Sequence, residues 1–239
     1  MYINAGRATL SGGQIVSNTA VAGGGVYVAA TTAAFTQTGA STIALNTAGN
    51  AGGGVCIEAG TATLSGGQIV SNTATYGGGV FNTIGMLALV NSTTSGNNAT
   101  VGGGLFSNGG TSVLTFTTVA SNTATGGGGG TVLLQDTIVA YNGTNCNAAL
   151  VSNGHNLEYG HTCGLNATGD MTDTDPLLGP LTNDGGTLVH PLLTGSQAID
   201  HDVCIAGITT DQRGAARIGP CDIGAYEYVP PVYLPLVLR

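Results

Sequence analysis

The chain has no lysine and no tryptophan, and its only arginines are Arg7, Arg213, Arg217 and Arg239. Charged residues make up 7% of its 239 residues, against roughly 25% in an average globular protein. The formal net charge is -8. With so few cations there is no basic groove to neutralise phosphates, so nucleic acid is a poor partner and anionic lipid is disfavoured. A membrane-spanning helix needs about 18 or more consecutive apolar residues, and no such run occurs.

Glycine is abundant instead, with 42 residues, alongside 42% apolar residues. The glycines show no three-residue period, which excludes a collagen-like helix. The apolar content argues against disorder.

The organising pattern is an aliphatic residue, two spacers, an Asn, and a Gly triplet followed by an aliphatic residue. Ile69 to Val80 is one copy. The Asn recurs at Asn18, Asn46, Asn72, Asn97, Asn122 and Asn142, at intervals of 28, 26, 25, 25 and 20. Three residues before each stand Ile15, Ile43, Ile69, Thr94, Val119 and Val139. The segment Ala8 to Ala20 returns letter for letter at Ala62 to Ala74. A period in the twenties means a solenoid. Leucine-rich repeats are excluded by the missing Leu spacing. Helical repeats are excluded by units rich in Thr, Val, Ile and Gly.

The expected fold is all-β: a single-stranded, right-handed parallel β-helix of about 25 residues per coil, stacked at about 4.8 Å. Three strands per coil are expected, in one coil near Val55 to Glu58, Thr61 to Leu64 and Gln68 to Ser71. The aliphatic residue should point into the core. The Asn should sit at a corner in the left-handed conformation and stack as an amide ladder, Asn72 between Asn46 and Asn97. That structural reading is preferred to a polar binding row. The Gly triplet should turn the next corner with positive φ. The short last interval predicts a lost strand between Gly126 and Asn142.

This pattern resembles the repeats of polymorphic outer-membrane proteins, which use Phe-x-x-Asn and Gly-Gly-Ala-Ile. Here Ile or Val stands in place of the Phe. Met1-Tyr2-Ile3-Asn4 has no basic n-region or apolar h-region of a signal peptide. It runs straight into an uncapped coil, so a missing N-terminal part is expected.

The expected division is coils over residues 1–143, last coils and a cap over 144–228, and an apolar Pro-broken tail over 229–239. The second region carries Ser152-Asn153-Gly154-His155-Asn156-Leu157, Asp175-Pro176-Leu177-Leu178-Gly179-Pro180-Leu181 and His190-Pro191-Leu192-Leu193. Thr210-Asp211-Gln212-Arg213-Gly214 and Cys221-Asp222-Ile223-Gly224-Ala225-Tyr226-Glu227 follow. Together these resemble the choice-of-anchor Q domain of bacterial β-helix surface proteins. The resemblance implies a secreted or cell-surface location and a β-helix ending in a capping region. It implies no reaction.

Cys146, Cys163, Cys204 and Cys221 allow three pairings. The sequential one, Cys146 with Cys163 and Cys204 with Cys221, is expected, and it requires an oxidising compartment. Cys56 reads as a buried thiol behaving as a small hydrophobe. Asp170, Asp173 and Asp175 place three carboxylates within six residues, a conceivable Ca²⁺ site as against a solvated acidic loop. The four histidines lack zinc spacing. Arg213 and Arg217 should pair with Asp211, Asp222 and Glu227. No other cofactor is expected.

The leading functional expectation is a non-catalytic, monomeric, extracellular adhesin-like protein that binds surface glycans or a neighbouring cell surface. A polysaccharide lyase or glycosidase needs a carboxylate pair or a basic residue. The coils offer only Glu58, Asp136 and Arg7, with the two carboxylates three coils apart. The enzymatic alternative is a relative whose catalytic residues are absent or lie on missing coils. A third reading, a flat Thr face for ice or a crystalline glycan, needs a regular Thr-x-Thr array.

Overall fold

The computed structural model describes residues 1–126, 131–146, 148, 150–201 and 204–230. Most of the tail, 231–239, and residues 127–130 within the stretch expected to lose a strand, lie outside them.

The chain is a parallel β-solenoid, without helix among the described residues. Each regular coil contributes four strands, not three. In the third coil these are Val55–Ile57, Thr61–Ser65, Gln68–Val70 and Thr73–Tyr76. The additional strand follows the Asn corner, where Thr73 and Thr75 have the β-branched shape that suits a pleated surface. We number the four sheets 1 to 4 in that order. Among the described residues sheets 1 and 4 have five strands each, and sheets 2 and 3 continue to seven. The register is regular: Ile69 pairs with Ile43 on one side and Thr94 on the other.

The core is a column of inward residues. Val55, Ile57, Leu64 and Ile69 are buried. In the first coil Ala8, Leu10 and Ile15 are only partly covered.

The Gly triplet has two separate functions. Gly52 turns the corner at φ +65. Gly53 and Gly54 instead permit close stacking, because a Cβ on Gly53 would lie 2.3 Å from the carbonyl oxygen of Gly78. The left-handed residue at the other corner is the one before the Asn, not the Asn itself. Ser17, Leu45, Ser71, Gly96, Ser121 and Tyr141 all have positive φ. The Asn side chain then holds the bend by donating back, Asn72 Nδ2 reaching the carbonyl of Val70 at 3.1 Å.

The C-terminal third does more than close the end. One part plugs the solenoid: Cys146, Cys163 and Leu165 join the main core cluster. The other part, from about residue 176, runs back along the outer side of sheet 3. Ile138, Ala140 and Leu157 of the solenoid there form a second core with Leu192, Ala198 and Ile223. Polar contacts extend this flank to the third coil, where the Thr187 hydroxyl donates to Gln68 Oε1 at 2.5 Å.

Candidate functional site

The six asparagines stand in one row. Asn72 donates its backbone N–H and Nδ2 to Oδ1 of Asn97 at 2.9 and 3.0 Å. It accepts the same pair from Asn46. The pattern starts at Asn18 and reaches Asn142. Asn46, Asn72, Asn97, Asn122 and Asn142 are buried, so the row holds coils together and presents no binding surface.

Disulfides join Cys146 to Cys163 and Cys204 to Cys221. Arg213 pairs with Asp211 and Asp184 and lies 3.6 Å over the Tyr226 ring. Arg217 bonds Glu227 at 3.0 Å and covers Phe116. These ion pairs lock the flank.

Asp170, Asp173 and Asp175 are not brought together as a metal site. Asp170 accepts from Ser152, Asn156 and Ala167. Asp173 faces His161, and Asp175 accepts from Tyr141 and Leu177. Each carboxylate fastens a different turn. Among the described residues no group of three or more His, Cys, Asp or Glu could hold a metal ion.

The outer face of sheet 4 carries a column of Thr19, Thr47, Thr73, Asn98 and Thr123 in register. Beside it stand Val21 and Gly49, with register shifts through the first three coils. The face is therefore not a regular Thr-x-Thr array.

The outer face of sheet 1 carries the site that the sequence reading missed. Tyr2, Tyr27, Cys56, Phe81 and Phe106 are consecutive partners across five coils. Tyr76, at the end of sheet 4, lies against Phe81 and Phe106 at centroid distances of 6.4 and 5.9 Å. Five of the twelve Tyr and Phe residues thus gather on one face. Four of them, Tyr27, Tyr76, Phe81 and Phe106, border a trough of about 440 Å³ that the buried Cys56 and the polar Glu58, Asn50 and Asn108 also line. The signal is the second residue after each Gly triplet: Tyr27, Cys56, Phe81 and Phe106.

Glu58 is exposed and accepts the Tyr27 hydroxyl at Oε2, 3.2 Å away. Burial, then Glu58, pushes Tyr27 up to about 12. Burial, then Glu58, also pushes the Cys56 thiol up to about 12. That thiol stays protonated at neutral pH and is no nucleophile. The trough combines aromatic faces with a few polar groups, the composition of a small-ligand site. Among the described residues it holds one carboxylate and no His, Lys or Arg, which gives no acid/base pair there.

A second cavity of about 110 Å³ lies inside the later coils, lined by core residues such as Leu114, Leu134 and Val139. It is partly open, and among the described residues no cluster of ionisable groups lines it.

Compared with family models, curated proteins and solved structures, the chain matches none. The two disulfides are compatible with an extracellular protein. Among the described residues no helix is long and apolar enough to cross a membrane.

Proposed function

We propose that the chain is a non-catalytic, secreted or surface-displayed glycan-binding protein, adhesin-like in use, with the sheet 1 trough as its contact site. The observation that carries this reading is the aromatic row with Glu58, Asn50 and Asn108 beside it. Sugar rings have C–H faces that suit the negative face of an aromatic ring, and hydroxyls that suit polar rim groups. The stacked coils repeat the aromatic position at about 4.8 Å, which suits an extended chain better than a single small molecule. The resemblance of residues 140 to 228 to the choice-of-anchor Q domain supports the surface location.

The test is binding of the purified protein to a panel of immobilised polysaccharides, followed through tyrosine fluorescence, which no tryptophan obscures. Retention on at least one member is expected. Tyr76→Ala with Phe106→Ala should weaken it by about tenfold or more, since stacking on one aromatic ring is worth about 1–3 kcal/mol. Retention of none by the wild type overturns the reading. Release of shortened fragments would show turnover in place of binding.

A further inference from the structure

One rung of the aromatic row is missing. The partners across the coils run Tyr2, Tyr27, Cys56, Phe81, Phe106, with the short Cys56 where every neighbour has a ring. The Tyr2 and Tyr27 rings lie 5.5 Å apart with planes only 9° from parallel. The second face of Tyr27 therefore looks along the solenoid axis toward the Cys56 rung. Successive rungs are about 4.8 Å apart, so Tyr27 and Phe81 are carried about 10 Å apart. A ring midway between them lies about 5 Å from each, a stacking distance.

The charge around this gap is one-sided. Among the described residues Glu58 is its only charged lining residue, and the molecule carries a net charge of -8. Tyr27 occupies Oε2 of Glu58, and Oε1 takes no protein donor among the described residues. The aromatic walls add a negative quadrupole that attracts cations. A uronate would meet Glu58 without a compensating cation. A neutral ring would leave Oε1 with only a hydroxyl donor.

We propose that the gap above Cys56 takes one amino-sugar ring of a glycan, its face on Tyr27 and its free ammonium group on Glu58. This rests on the reading of the trough as a glycan site and adds the class of sugar.

The experiment compares oligomers of equal length built from free glucosamine, from N-acetylglucosamine and from a uronic acid. The wild-type protein should bind the free amino oligomer about tenfold or more tighter than the other two, as expected for one charge-assisted hydrogen bond. Glu58→Gln should bring the amino oligomer down to the N-acetylated level. Asp173→Asn removes the same unit of charge away from the trough, and should change affinity by less than about twofold. Cys56→Phe, which fills the missing rung, should lose binding of the amino oligomer. Tyr27→Ala, which removes a wall without enlarging any side chain, should lose it also, whether or not the filled variant folds.

Equal effects of Glu58→Gln and Asp173→Asn would mean attraction by bulk charge and overturn the proposal. Equal binding of the N-acetylated or acidic oligomer by the wild type would overturn it too, while leaving the trough a glycan site. Failure of every oligomer and every polysaccharide removes the site reading itself.

Discussion

Asn72 shows how much one side chain holds in a solenoid. Its Nδ2 donates to the carbonyls of Ile43 and Val70 and to Asn97 Oδ1. Its Oδ1 takes the backbone N–H and Nδ2 of Asn46. Removing it strands several buried groups, each costing about 1–3 kcal/mol when left unsatisfied. Asn72→Ala should therefore destabilise the protein by more than about 2 kcal/mol. Asn18 heads the same row but is exposed, so water replaces what its side chain gives up. Asn18→Ala should cost under about 1 kcal/mol. Chemical denaturation midpoints of the two variants check this, and equal losses would show that the row does not act as a ladder. A second prediction belongs to Glu58 and Tyr27. Burial and Glu58 hold Tyr27 at about 12, so its phenol should stay protonated through pH 10. Glu58→Gln should lower the pH of its ionisation in a spectrophotometric titration.

At the scale of the elements, sheet 3 is covered from outside, and the cover has its own pH dependence. Thr93 donates to Gln212 at 2.6 Å, Ser95 meets His190 at 2.9 Å, and the Ala225 N–H donates to Thr118 Oγ1 at 3.1 Å. Within the flank, burial raises Asp222 to about 6 despite the N–H groups of Asp200 and Tyr228 pointing at it. A carboxyl raised above its unfolded value near 3.8 adds stability below that value, and loses it as pH rises through about 6. His190 acts in the opposite direction. Burial lowers its pKa, so its contribution holds above 6.5, the ordinary value of a free imidazole, and falls on acidification. A comparison of wild type with Asp222→Asn isolates the first group. Their difference in unfolding midpoint should move in favour of the wild type as pH falls from about 7 to about 4. A flat difference would mean that Asp222 is not held as described.

Much of this arrangement was legible and some was not, for physical reasons. The period, the inward column through Ile69 and the Asn row follow from spacing alone. The strand Thr73–Tyr76 did not, because four residues between an Asn corner and a Gly triplet read as a turn. The aromatic row is sampled once in about 25 residues, so Tyr27, Phe81 and Phe106 look isolated in the chain. Gln68, Thr93 and Ser95 read as a solvent face by the period of a strand, and nothing local says that Thr187, His190 and Gln212 return to cover them.

For the whole molecule, stability is close to a sum of coils and their contacts with neighbours, and its two ends differ. At the first coil Leu10 and Ile15 are only partly covered. At the other end Cys146 and Cys163 are both part of the main core, whereas in the flank Cys221 is buried and its partner Cys204 only half-buried. Both disulfides close equal sequence separations of 17, which loop entropy rates alike at about 3 kcal/mol each. The folded side of the balance is unequal. Replacing Cys146 and Cys163 by alanine removes two buried sulfurs from the core cluster that also holds Leu134 and Leu165, a cost beyond loop entropy. The Cys146→Ala, Cys163→Ala pair should therefore lower the melting temperature more than the Cys204→Ala, Cys221→Ala pair. Hydrogen exchange should locate the loss. Amides of Thr131–Gln135, a sheet 2 strand next to the plug, should lose protection first, while Val26–Val28 and Val55–Ile57 keep theirs. Sheet 3 should be the slowest to follow, because the flank ties its third coil to its last. Uniform loss across all coils would show that the flank couples the solenoid into one cooperative unit, and that nearest-neighbour stacking is the wrong description of it.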